Sequence, residues 1–372
     1  MDWQSIRARF PGTDGQAYFN AASVGLPCAA GLAAADAARD ALRAGASDLF
    51  AHRGPALQRS RELLAQLFAV TPAEIGLTTS ASRAMDFVAA LLERGPRRQI
   101  VMARDEFPAS AAPWHARGFE VRFVAAGRNG LTADDYAAAV GPETAAIVAS
   151  LVQFADSTRI DPAALAALAR MNGARCVLNV TQAAGAVPVD LPATGADFAI
   201  GAAMKYLCSG PGAAYWWCPR HLIERYGAPW GGWMGLEDAM RMDPRQRRFK
   251  EDASVVEGGC FGHIPFAVMN PTLELIEELG VDRIQARVRD VMEPIWQWAD
   301  QARLRIRTPR DPARRGAHVA LEVDDPDRWR GALDAQGIRV SARRSALRIA
   351  PHLYTDLSDV DRLIAAARTL AT

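Results

Sequence analysis

A chain of 372 residues, half of them hydrophobic and 23% charged, suits two domains or one large α/β domain with a smaller companion. A formal net charge of +1 supplies no field to gather nucleic acid or an acidic membrane surface. No run approaches the roughly 20 apolar residues of a membrane span, and five cysteines without a CxxC pair suit reduced thiols in a cytoplasmic protein.

In chain order, residues 1–20 read as an N-terminal segment with no secretory leader. "LPCAAGLAAADAARDALRAG" is Ala-rich and helical, and "ALQRSRELLAQLFAV" is amphipathic, with Leu57, Leu63, Leu64 and Leu67 on its apolar side. "EIGLTTS" predicts a short strand, and "SRAMDFVAALLERG" a helix that Gly95 and Pro96 end. "RQIVMAR", "FEVRFVAA", "TAAIVASLV", "ARCVLNV" and "ADFAIG" predict short apolar strands, with helices such as "DPAALAALARMNG" between some of them. Apolar strands alternating with helices indicate an α/β fold whose mainly parallel sheet is covered on both faces. Residues 227–262, rich in Gly, charge and aromatics, break this rhythm and predict a long functional loop or domain crossing. A long helical pattern then leads to strands "AHVALEV", "GIRVSARR" and "SALRIAP", a small α+β domain. The division is a large domain over 21–257 and a small one over 258–372.

The chain holds 41 arginines and two lysines, Lys205 and Lys250. Lys205 stands in "AIGAAMKYLCSGPGAAYWW", among Ala, Gly, Met, Leu and aromatic residues. A lysine at a strand end commonly snorkels to water. Here the chemistry favours another role, because a guanidinium stays protonated while a desolvated primary amine can lose its proton and condense with an aldehyde. A strand end followed by the glycine turn "SGPG" also lies where α/β sheets bind ligands.

From "YFNAASVGLP" to "LRIAPHLYTDLSDVDRLI" the sequence resembles the class V, fold type I pyridoxal-phosphate enzymes, a group with kynureninases, isopenicillin-N-epimerase-like proteins and cysteine desulfurases. "MKYLCSGPGAA" most resembles the lysine segment of kynureninases, and "GGWMG" their Trp-Gly loop. The resemblance implies a large domain with a mainly parallel seven-stranded sheet, a small C-terminal α+β domain, and a homodimer with shared active sites. It makes Lys205 the Schiff-base lysine and the acid/base at the substrate Cα. Thr79, Ser80, Ala81 and Ser82 in "TTSASRAMDF" stand where the family binds phosphate, although they equally suit a plain helix cap. Phe107 stands where kynureninase-like relatives stack a phenylalanine on the cofactor ring, though a core role is open to it, and Trp114 is an alternative. Gln182 resembles the family's donor to the ring oxygen, Trp233 the donor to phosphate across the dimer, and Arg348 the arginine that takes the substrate carboxylate. Asn20 and Ser23 fall where relatives line the substrate pocket, and would also suit a turn before Gly25 and Pro27.

Several positions depart from the family. Asn179 replaces the aspartate that pairs with the pyridine nitrogen, so an amide stands where a carboxylate would hold the ring protonated. Ala202, Ala203 and Met204 replace hydrogen-bonding residues before the lysine, and Cys260 replaces a threonine or asparagine that reaches the neighbouring subunit's phosphate. No cysteine follows Cys260, which counts against persulfide desulfuration, and six dispersed histidines give no metal spacing. The expected function is a pyridoxal-phosphate enzyme acting on an amino acid through an external aldimine. Asn179 favours lyase (β-elimination) or epimerase chemistry slightly over transamination. A true aminotransferase stays open, as does a decayed site serving as a binding or structural partner.

Overall fold

The structure, a computed structural model, describes residues 2–127 and 130–371. Its central sheet has seven strands in the spatial order Ile75–Thr78, Ala214–Trp217, Phe198–Ala202, Arg175–Asn179, Thr144–Ser150, Gln99–Ala103 and Glu120–Val124. All run the same way except Ala214–Trp217, which is antiparallel to both neighbours. Every residue of Thr144–Ser150 and Gln99–Ala103 is buried. That explains why these strands read as continuous apolar runs rather than as an alternation.

The reversed strand is absent from the sequence expectation, because "AYWW" reads as the tail of the lysine segment. Its bulky residues need small partners. At Gly201, opposite Tyr215, an added Cβ would stand 2.3 Å from the Tyr215 hydroxyl oxygen, so the close approach admits only glycine there. The helix expected from Ala56 begins at Ala46 and carries Pro55 within it, running to Phe68.

Beyond the long loop, helices Ile264–Leu279 and Val281–Gln301 lead into an antiparallel sheet of Ser341–Arg343, Ala346–Ile349 and Val319–Glu322. Helix Ile264–Leu279 packs back on helices Ala29–Ala44 and Ala46–Phe68. The N-terminal segment joins the C-terminal part, with Ala17–Tyr18 pairing Ile338–Arg339 in parallel and Asn20 bridging to Ala350. Residues 22–24 are thereby carried to the turn that follows strand Phe198–Ala202. The loop over 227–262 holds short turns of 3-10 helix at Trp233–Gly235, Ala239–Arg241 and Ala253–Val256. Ala253, Val255 and Val256 are buried, and the Trp216 indole N–H donates to the Ala253 carbonyl at 2.9 Å.

Candidate active site

A cavity of about 510 Å³ opens at the carboxyl ends of the parallel strands. Asn179, Ser150 and Ala202 end three of them, and the segments after Thr78 and Ala103 bring Thr79–Ser82 and Phe107 to the same place. Strand ends are where an open α/β sheet leaves backbone groups free to meet a ligand. Lys205 follows strand Phe198–Ala202 in a tight turn, in which the Cys208 N–H returns to the Lys205 carbonyl at 3.1 Å. Gly25 presses on this turn. Its N–H donates to the Met204 carbonyl at 2.8 Å, and an added Cβ would lie 2.0 Å from the Lys205 carbonyl oxygen.

The Lys205 Nζ lies 5.4 Å from the centre of the Phe107 ring. Phe107 meets Phe154 edge to face at 5.3 Å, so two aromatic rings bound this part of the cavity. Phe107 is held in place from behind. The adjoining Glu106 is buried and accepts from the Ser150 N–H and Oγ at 2.6 Å each and from Gln153 Nε2 at 2.8 Å. Burial raises the Glu106 pKa, while those hydrogen bonds oppose the rise.

Burial, with the nearby cations of Arg348 and Arg343 adding to it, lowers the Lys205 pKa to about 7. The group holds fewer protons in the folded chain than in the unfolded chain, so its contribution to stability improves as pH rises from about 7 towards its ordinary value. Capture of an aldehyde needs the neutral amine. The rate of aldehyde capture by the apoprotein therefore rises with pH and levels off above about 7, and a midpoint near that of an ordinary lysine would contradict this.

At another edge of the cavity, the 12-residue helix Ala81–Leu92 begins. Ser80 caps it, its Oγ accepting from the Arg83 N–H at 3.2 Å. The Ala81 and Ser82 N–H groups precede the first helical bond, and Thr79, Ser80 and Ser82 are exposed. N–H groups, hydroxyls and a helix dipole together suit a phosphate.

Asn179 uses both ends of its amide on neutral groups. Its Nδ2 donates to Ser110 Oγ at 3.0 Å, and its Oδ1 accepts from the Thr181 N–H at 3.0 Å. Gln182 lies in the cavity wall. Its Nε2 donates to the Ala22 carbonyl at 3.1 Å, and its buried Oε1 has no partner among the described residues. The N-terminal segment takes one of the two amide hydrogens.

Arg348 is buried, yet all its partners are neutral: Ser341 Oγ at 3.2 Å, the Phe154 carbonyl at 3.3 Å and Ser23 Oγ at 2.6 Å. Burial and the Arg343 charge lower its pKa to about 10.

Other expected residues lie elsewhere. Trp114 is fully buried and packs edge to face on Phe119 at 5.2 Å, which makes it a core residue. Trp233 is 41% exposed, and its indole N–H donates to the Ala239 carbonyl at 2.8 Å; it does not line the cavity of its own chain. Nor do Asn20 and the exposed Cys260. From the Trp-Gly loop it is Trp230 that reaches helix Ala81–Leu92, stacked on Phe87 at 6.2 Å with the Arg83 guanidinium over its ring. The sequence reading missed Phe154 and Arg343, both in the cavity wall. Neither sits in a motif, and only the fold of distant segments brings them to Lys205.

A family model described as "Aminotransferase class-V" matches residues 35–363. The chain belongs to the class-V aminotransferase family. Among curated members, an uncharacterised aminotransferase of Bacillus subtilis (strain 168) is 23% identical over 314 residues, covering 84% of this chain and 83% of that protein. Kynureninase of Pseudomonas fluorescens is 27% identical over 244 residues, which cover 62% of this chain and 56% of the kynureninase. Among solved structures, the cysteine desulfurase of Thermococcus onnurineus NA1 superimposes with a TM-score of 0.88 at 19% identity, covering 99% of this chain and 97% of the other. The cystine C-S lyase C-DES, in complex with its product cysteine persulfide, gives 0.88 at 20% identity over 97% of this chain and 99% of the other. These structures share the class-V fold with this family member.

Proposed function

We propose that this family member is a pyridoxal-phosphate-dependent lyase acting on an amino acid, with Lys205 as its cofactor-bonding amine and sole proton carrier. One observation carries the reading: an amine with a pKa near 7 stands over an aromatic ring in a cavity that a helix N-terminus also faces. The cavity fits pyridoxal phosphate on three further counts. Thr79–Ser82 suit its phosphate, Phe107 its ring face, and Gln182 in the cavity wall the ring oxygen. When bound, the cofactor supplies an aldehyde that condenses with amines and a conjugated ring that withdraws electrons from the substrate Cα.

The residues then divide the work. Arg348 takes the substrate carboxylate with a guanidinium already oriented by three neutral acceptors. Phe107 and Phe154 give the reacting end an apolar wall. Lys205 Nζ would take the proton from the substrate Cα and pass it to the departing β-substituent, because no Asp, Glu, His, Cys or Tyr lines the cavity among the described residues. A single proton carrier disfavours epimerisation by two opposed bases.

Asn179 disfavours transamination, since its neutral amide does little to keep a ring nitrogen protonated. Expulsion of a β-substituent asks least of that nitrogen. Asn179→Asp should shift the pH dependence of the cofactor's absorbance and move product distribution towards amine transfer. Unchanged spectrum and products would remove Asn179 from the account. The reading as a whole is tested by incubating purified protein with pyridoxal phosphate, where a visible absorbance band that small amino acids perturb is expected. Absence of any band would instead support a decayed site.

The family resemblance also supports a homodimer, and Trp233 and Cys260, which that resemblance assigns to the dimer contact, are both exposed. A cofactor-loaded monomer in size-exclusion chromatography with light scattering would contradict that.

A further inference from the structure

We infer that the substrate carries a second anionic group besides its carboxylate, and that Arg343 selects for it. The inference rests on the cofactor-dependent reading above and deepens it. The cavity wall contains three cationic side chains, Lys205, Arg343 and Arg348, and no Asp or Glu among the described residues. Replacement of the family's aspartate by Asn179 removes the negative charge that relatives keep there.

The environment of Arg343 is what a plain solvated arginine does not explain. It sits on strand Ser341–Arg343, beside the turn that leads to Ala346–Ile349, and is exposed. Its next neighbour, Arg344, forms an ion pair with Asp105. Arg343 instead donates to the Ala342 carbonyl at 2.8 Å and, through Nη2, to Ser23 Oγ at 3.2 Å. The same Ser23 oxygen accepts from Arg348 Nη2 at 2.6 Å. Two guanidinium groups thus converge on one hydroxyl, and each Nη2 lies a single hydrogen bond from the same atom. Like charges so placed repel, and the Arg343 charge already weakens proton binding by Arg348.

No carboxylate among the described residues pairs with Arg343 or Arg348, so the group that relieves them comes with the ligand. The buried Arg348 suits the carboxylate next to the reacting carbon, because its fork is fixed on three sides. Arg343, at the mouth, faces whatever projects outward from that carbon. Guanidinium groups sharing one hydroxyl are spaced for anions separated by a short carbon chain, as in aspartate or glutamate. Ser23 becomes the spacer: its oxygen accepts from both arginines, which leaves its own hydrogen free to donate to the ligand. The cofactor's phosphate does not compete for this role, since the helix N-terminus that suits it is built from Thr79–Ser82.

Isosteric pairs separate charge from shape. Protein loaded with pyridoxal phosphate is titrated with glutamate against glutamine and aspartate against asparagine, each as both enantiomers, and binding is read from the cofactor absorbance. At least one acidic member should bind roughly tenfold or more tightly than its amide, the scale of one charge-assisted hydrogen bond. Arg343→Gln should abolish that preference, so that each acid binds no more tightly than its own amide. Equal affinities within both pairs, a preference that survives Arg343→Gln, or no spectral response to either acid would overturn the inference with the cofactor reading intact. Absence of the absorbance band itself would remove the reading on which it rests.

Discussion

Replacing Lys205 by alanine should lower turnover by roughly 10²–10⁴-fold, the usual contribution of a positioned proton carrier, and abolish covalent attachment of the cofactor. The magnitude follows from isolation. No Asp, Glu, His, Cys or Tyr shares the described cavity wall, so nothing stands in for the lost amine. Lys205→Arg should fare no better despite its charge, because a guanidinium neither loses its proton nor forms an imine. The informative control is rescue: small primary amines added to Lys205→Ala should restore part of the turnover. A lysine that merely filled the turn behind Gly25 would show no such rescue. Retention of parental turnover by either variant would refute the role given to Lys205.

The second large effect is expected at Arg348. Removing one member of a buried, hydrogen-bonded charge pair costs about 2–5 kcal/mol, so Arg348→Gln should reduce kcat/KM by a factor on the order of 10²–10³. The loss should fall mainly on KM, because the guanidinium holds the carboxylate in both ground and transition states. Arg348→Lys should recover little of it. A single ammonium cannot reproduce a planar fork tied to Ser341, Phe154 and Ser23. Thermal unfolding distinguishes this from misfolding, since a variant with unchanged Tm and raised KM has lost recognition alone. An unchanged KM would place the substrate carboxylate elsewhere.

How far the sequence foretold this arrangement depended on the range of the signal. The parallel strands were legible because a strand buried on both faces must be apolar throughout, as Gln99–Ala103 and Thr144–Ser150 largely are. Lys205 was legible because lysine is so rare in this chain that its apolar surroundings stood out. The reversed strand Ala214–Trp217 was not, since its aromatic residues gain their meaning only from glycine on the neighbouring strand. Side-chain direction was also hidden. Nothing local to Gln182 told that Ala22 would take one of its amide hydrogens, or that Trp233 would turn its N–H to Ala239. Arg343 was one arginine among 41 until the N-terminal segment carried Ser23 to it.

The central claim is that the amine of Lys205, and not that of Lys250, binds the cofactor. Reduction of the loaded protein with borohydride, followed by proteolysis and peptide mass spectrometry, tests it most directly. The account predicts a phosphopyridoxyl adduct on the peptide that carries Lys205 and none on the peptide that carries Lys250. An adduct on Lys250, or an unlabelled Lys205 in protein that has bound the cofactor, would contradict it.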